Sequence, residues 1–339
     1  MSSWLAEAVR SEGGRVTFER FMELALYHPI HGYYTGQVSA IGRSGDFSTA
    51  TTIGDSLVRS VASWVKTEAK QLSTPVPQVI ELGGGNGRMA SGILKSFMPW
   101  QRIRYQIVEI SRTLRQLQER ELRGRGVEWK DSVEAALMAA KGEAILIANE
   151  FADAFPCQRF ELGTQGWKEI LLALDGDIWR EEYSEDSAPP ASSTFFVKYE
   201  KGQRVETLQS YRKWLTSLDR HLHRGAILSI DYGGSPEEIY HRRPGGTMRG
   251  YFRHQRIEGM EIYLRPGRQD LTSDVNFIDL KEWGEQLKLV TVQLVTQADF
   301  IRQWAKLRST SQKPADQYAG DEIFGMGEAF KVLHQRKAS

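Results

Sequence analysis

Apolar residues recur at three- and four-residue spacing over 17–28 (TFERFMELALYH), so that Phe18, Phe21, Met22, Ala25 and Leu26 share one face of a predicted helix. Pro29 and Gly32 close it, and a stretch rich in Gly, Ser and Thr runs on to about residue 54. Leu57, Val61, Trp64 and Val65 predict a second helix, ending near Leu72 ahead of Ser73, Pro75 and Pro77. The period then alternates. QVIELG (78–83), YQIVEI (105–110), GVEWK (126–130) and AILIANE (144–150) read as strands. RMASGILKSF (88–97), the segment capped by Ser111, and SVEAALMAA (132–140) read as the helices between them. A helical crossover between successive strands requires parallel pairing, so the pattern predicts an α/β sheet.

The middle of the chain leaves that rhythm. WKEILLALDGDIWREEY (167–183) alternates around Asp175 and Gly176, a good hairpin turn, and a polar connector follows. Residues 205–222 read as a helix and GAILSIDYG (225–233) as a buried strand. Residues 234–276, rich in Gly, Pro and Arg, read as a long insertion. A helix over 277–287 and strands over LVTVQLVT (289–296) and FKVLHQ (330–335) complete the chain. The expected organisation is an N-terminal helical segment with a loop, 1–74, and a main domain, 75–339, carrying insertions near 163–200 and 234–276.

Composition narrows the class. The 339 residues are 40% hydrophobic and 26% charged with a net charge of +1, the balance of a globular protein without a nucleic-acid footprint. One cysteine, Cys157, excludes an internal disulfide and any multi-cysteine metal site, and it reads as a core residue beside a strand. The pairs His28/His31 and His221/His223 lack accompanying ligands, so no metal is expected. No apolar run approaches the ~20 residues of a membrane helix. The N-terminus MSSWLAEAVRSEGG lacks a basic stretch leading into an apolar one, which reads as a cytoplasmic protein.

The strand QVIELG runs straight into a glycine loop. Gly83, Gly85 and Gly87 stand at its carboxyl end with a helix following, the position where open α/β sheets take ligands. Arg88 occupies the place of the third glycine in the dinucleotide fingerprint, which disfavours a nicotinamide oxidoreductase. The loop is instead G-x-G-x-G with Glu81 two positions ahead, a variant that resembles S-adenosylmethionine-dependent methyltransferases. Glu109 ends the next strand, about 20 residues on, where a carboxylate can accept both ribose hydroxyls. Asp131 and Ser132 end the third, a placement suited to the adenine amino group.

HPIHGYYTG, GDFSTA, IELGGGNGRM, YQIVEIS, ILIANEFADAFPCQRFE, SIDYGG, GTMRGYFRHQ, RPGRQDLTSDVNF, LVTQADF and MGEAFKVL together resemble the MidA-like methyltransferases. Those are related to the mitochondrial arginine methyltransferase that serves respiratory complex I assembly. The resemblance implies a Rossmann-like class I methyltransferase sheet with an N-terminal helical segment and two insertions, S-adenosyl-L-methionine as cofactor, and a protein substrate methylated on arginine. It departs from the family in Gly84 for Pro, Asn86 for Arg and Arg88 for Thr, and residues 48–55 read STATTIGD where the family tends to carry a Ser-Pro-Glu element. The implied cofactor set is Asp46, Thr49, Glu81, Gly83, Gly85, Gly87, Glu109, Ile110, Asp131, Ser132 and Asn149.

An arginine acceptor stays cationic to a pKa above about 12, so it needs carboxylates that grip the guanidinium and take a proton. Glu150 and Asp153 follow the fourth strand, Asp231 ends the fifth, and His254 follows in GTMRGYFRHQ; these four are the candidate catalytic residues. Seven arginines in 234–276, with the 33–54 loop, suggest a docking surface for a protein. The competing reading is an assembly factor that keeps the fold and has lost catalysis, as the altered residues 50–55 would allow. Nothing in the pattern specifies an oligomeric state.

Overall fold

The computed structural model describes residues 3–37, 54–98, 100–176, 178–185, 188–305 and 327–337. Helix Ser3–Ser11 leads to β1 (Arg15–Thr17), where Thr17 accepts the amide of Arg20 (3.1 Å) and so caps helix Phe18–Tyr27. After helix Asp55–Glu68 the alternation runs β2 (Gln78–Leu82), helix Arg88–Ser96, β3 (Arg104–Val108), helix Arg112–Glu121, β4 (Val127–Lys130), helix Val133–Ala139 and β5 (Glu143–Asn149). Then come β6 (Gln158–Gly163), β7 (Gly166–Asp175), β8 (Ile178–Tyr183), β9 (Arg204–Thr207), helix Gln209–Asp219 and β10 (Arg224–Gly234). Helix Pro236–Tyr240 precedes β11 (Arg249–Phe252), β12 (Gln255–Ile257), β13 (Asp270–Thr272) and β14 (Val275–Asn276). Helix Phe277–Gln286, β15 (Leu289–Thr296), helix Gln297–Trp304 and β16 (Phe330–Lys337) end the described chain.

These elements form two compact units. One comprises Met1–Val38, Asp153–Lys213 and Gly234–Asp279; the other comprises Ser39–Ala152, Trp214–Gly233 and Leu280–Ser339. The N-terminal residues therefore group with both insertions, while helix Asp55–Glu68 belongs with the main sheet.

The main sheet runs β15-β16-β10-β5-β2-β3-β4. β4, β3, β2, β5 and β10 pair in parallel, as the alternation predicts, and β16 is antiparallel to both its neighbours. Strand order reverses at β2, whose neighbours are β3 and β5, so its carboxyl end is the switch point at which such sheets open a crevice. Val79, Ile145, Ile147, Leu228, Ile230 and Val332 are buried without the polar alternation of a one-sided sheet, because helices cover it: Trp64 and Ile93 join the same core.

The other unit holds β1-β7-β6-β9, with β8 pairing β7, and a second sheet β12-β11-β13. The expected hairpin forms, closing on the pair Asp175–Ile178. Residues 205–207 correct the helical reading. Val205 pairs Phe160 and Glu206 pairs Arg159 across β6 and β9, and the helix begins only at Gln209. Arg159, buried, lies 3.3 Å from Glu206 and 3.6 Å from Glu181, and donates to the Tyr263 hydroxyl (3.1 Å). The arginines of 234–276 are partly consumed within the unit: Arg243 and Arg249 both pair with Asp274, and Arg256 pairs with Glu258. Cys157 is buried, and burial pushes its thiol pKa up, as suits a core residue. Among the described residues no helix is long and apolar enough to cross a membrane.

Candidate active site

The turn after β2 is built on left-handed glycines: Gly83, Gly85 and Gly87 have φ of 66°, 52° and 84°. Gly83 extends the β2–β3 pairing by donating to Val108 O (3.0 Å), and Gly87 donates to Gly84 O (2.8 Å) and starts helix Arg88–Ser96. A Cβ added at Gly85 would meet nothing within 4 Å, so the backbone there faces open space. At Gly84 it would come within 2.8 Å of the Ile107 side chain and 3.1 Å of Gln118 Nε2.

Glu109 follows β3 and is 8% exposed. Its Oε1 accepts the Ser111 amide and its Oε2 accepts Gln118 Nε2, both at 2.9 Å. Burial raises its pKa, and those two bonds oppose the rise. Ile110 beside it is half exposed, an apolar surface on which a base could rest. An open glycine turn, a carboxylate held at the next strand end and an exposed apolar residue beside it fit an adenosyl cofactor.

Three members of the expected set are engaged differently. Glu81 is buried, with Oε2 accepting the Tyr105 hydroxyl (2.9 Å); burial lifts its pKa to about 8 against that bond, and the charge of Glu109 adds to the lift. It therefore carries its proton at neutral pH inside the sheet. Ser132 accepts the Ala135 amide (3.2 Å) and caps helix Val133–Ala139, so its hydroxyl serves the helix. The Asp131 side chain is 96% exposed and 3.6 Å from Arg115. Asp46 and Thr49, with residues 50–53, lie outside the described residues.

At the ends of β5 and β10, Glu150 takes a left-handed φ of 49° and its amide donates to Ile230 O (2.8 Å). Asn149 Nδ2 reaches Glu150 Oε1 at 3.4 Å. Asp231 is 1% exposed; its Oδ2 accepts the amides of Phe151 (3.2 Å) and Ala152 (3.0 Å), and its Oδ1 accepts that of Tyr232 (3.0 Å). The described bonds of Asp231 are thus to the backbone of the turn that follows β5 and to its own neighbour. Its carboxylate meets orphan backbone donors and fixes the turn that carries Glu150.

The compact unit that contains both insertions brings together two carboxyls that stand far apart in sequence. Asp153 Oδ2 accepts the Thr272 hydroxyl (2.9 Å), and Asp270 Oδ1 accepts the Tyr34 hydroxyl (2.8 Å). Tyr34 stacks on Tyr27, whose hydroxyl donates to Ala154 O (2.7 Å). Burial, then the charge of Asp153, raises Asp270 to about 7 against the pull of Tyr34, the Leu271 amide and Arg249. Asp270 and Tyr34 are absent from the sequence-based set although both stand inside the strings RPGRQDLTSDVNF and HPIHGYYTG. His254 and Arg253 form the exposed turn between the paired residues Phe252 and Gln255, both at positive φ (64° and 50°). Among the described residues no group of three or more His, Cys, Asp or Glu could hold a metal.

Residues 60–295 match the family described as "Putative S-adenosyl-L-methionine-dependent methyltransferase". Similar proteins include the mitochondrial protein arginine methyltransferase NDUFAF7 of Mus musculus, 24% identical over 95% of this chain and 82% of its own. Its Danio rerio counterpart is 28% identical over 85% of this chain and 73% of its own. A crystal structure from Burkholderia thailandensis with bound S-adenosyl-homocysteine shares 26% identity at a TM-score of 0.85, covering 98% of this chain and 91% of that one. Both curated relatives are mitochondrial, which overturns the cytoplasmic expectation.

Proposed function

This chain belongs to the S-adenosyl-L-methionine-dependent methyltransferase family, and we propose that it methylates arginine side chains of a protein. The relatives named as protein arginine methyltransferases support that substrate. The observation that carries it is the buried pair Asp153 and Asp270, held by Thr272 and Tyr34. Two carboxyls in one buried place resist double ionisation, and a guanidinium is the partner that relieves both. When bound, the cofactor supplies an electrophilic methyl on a sulfonium. The loop at 83–87 would hold its amino-acid end, and Glu109 its ribose.

Most of the acceleration then comes from holding the acceptor nitrogen in line. That nitrogen sheds a proton as its new bond forms, and the carboxyl pair, with Asp270 near 7, is matched to hold it. Asp153→Asn keeps the volume and removes the charge. Transfer of labelled methyl to protein arginine should fall by roughly 10²-fold or more while affinity for S-adenosylhomocysteine is unchanged. Acid hydrolysis of the labelled protein should yield methylarginine. Label in lysine alone, or a parent rate in Asp153→Asn, would sink the proposal.

A further inference from the structure

We infer that Gln118 positions Glu109 for the cofactor ribose and locks it to the glycine loop. The inference rests on the reading that Glu109 binds the ribose. Gln118 is fully buried in helix Arg112–Glu121, where the helix itself has no need of a buried amide. Its Nε2 donates to Glu109 Oε2 (2.9 Å) and to Gly85 O (3.0 Å), and its Oε1 accepts the indole Nε1 of Trp129 (2.9 Å). An indole N–H only donates, so Trp129 decides which end of the amide is oxygen. The NH₂ end therefore faces Glu109 and Gly85, and a flipped amide would set oxygen against a carboxylate.

The consequences follow from counting lone pairs. The Glu109 carboxylate already accepts Ser111 N–H on Oε1 and Gln118 on Oε2, and the Ile110 amide also bears on it, so little acceptor capacity remains and Gln118 fixes which part of Oε2 is left for a hydroxyl. Donation by Gln118 also favours the ionised form that burial penalises. The loop packs on Gln118: a Cβ at Gly84 would crowd Ile107 at 2.8 Å and the Gln118 amide at 3.1 Å. Gln118 is thus a positioning residue that acts through Glu109.

The test measures dissociation constants of S-adenosylhomocysteine and its 2′-deoxy and 3′-deoxy analogues by calorimetry, from pH 5.5 to 8.5. In Gln118→Met the natural ligand should weaken ~10-fold or more, the size of a lost charged hydrogen bond. The deoxy analogues should weaken little, so discrimination between ligands shrinks. Affinity should also fall away at a higher pH on acidification than in the parent, because Glu109 has lost a donor that kept it ionised. Trp129→Phe, which removes only the N–H that orients the amide, should move the same two readouts in the same direction and serves if Gln118→Met does not fold. Parent discrimination and an unshifted pH profile in the folded variants would overturn the inference. Glu109→Gln separates the two ideas: if it leaves discrimination intact, the ribose reading fails; if it abolishes discrimination that Gln118→Met preserves, only the role of Gln118 fails.

Discussion

Replacing Glu81 by glutamine should make the protein more stable in mild alkali and leave it almost unchanged near pH 5. Glu81 is 3% exposed, and burial lifts its carboxyl from 4.5 to about 8 despite the Tyr105 hydroxyl. Below the lower value both folded and unfolded chains hold the proton. Between the two values the unfolded chain has released it and the folded chain has not, so stability is lost as pH rises through about 8. At ~1.4 kcal/mol per pH unit, that window amounts to roughly 3–5 kcal/mol. Glutamine keeps an acceptor for Tyr105 and has no proton to lose. The gain should be small at pH 5 and reach several kcal/mol at pH 8, about 1.5 °C in Tm per kcal/mol for a chain of this size. Thermal unfolding of ligand-free parent and variant, followed by circular dichroism at matched ionic strength from pH 5 to 9, reads the difference. Parallel Tm-against-pH curves would refute the reasoning, because Glu81 would then ionise alike in both states.

Glu150→Gly should relieve the left-handed φ of 49° and raise stability by about 1 kcal/mol in urea unfolding, while methyl transfer falls if the side chain serves the acceptor. A loss of stability instead would show that the Glu150 side chain holds the turn. For Asp270 the sign follows its raised pKa: the group is protonated below about 7, so kcat/KM should drop as pH falls through that value. Asp270→Asn should lower the rate and flatten that limb of the pH–rate profile, and an unchanged limb would assign it to another group.

Where the hydrophobic pattern was dense, the fold was legible. Val79, Ile80 and Leu82 are all buried in β2, and the glycines after it adopt the left-handed turn their spacing implies. β6 and β9 escaped because their registration is polar as much as apolar. Glu206 falls within the 205–222 pattern that reads as a helix, yet it forms a buried ion pair with Arg159 across the sheet. Asp153 and Asp270 are separated by most of the two insertions, so nothing local could join them. A count of arginines in 234–276 likewise says nothing of pairing: Arg243 and Arg249 both engage Asp274.

The candidate residues show where sequence reading stops. A polar residue at the carboxyl end of a parallel strand can turn toward a ligand or toward the amides of the turn that follows, and spacing is the same for both. Ser132 and Asp231 took the amides, since Ala135 in one case and Phe151, Ala152 and Tyr232 in the other needed acceptors. Glu109 accepts the Ser111 amide on one oxygen and, on the other, Gln118, which also bonds the glycine loop. That second donor is buried in the next helix, where no strand-end motif would look for it.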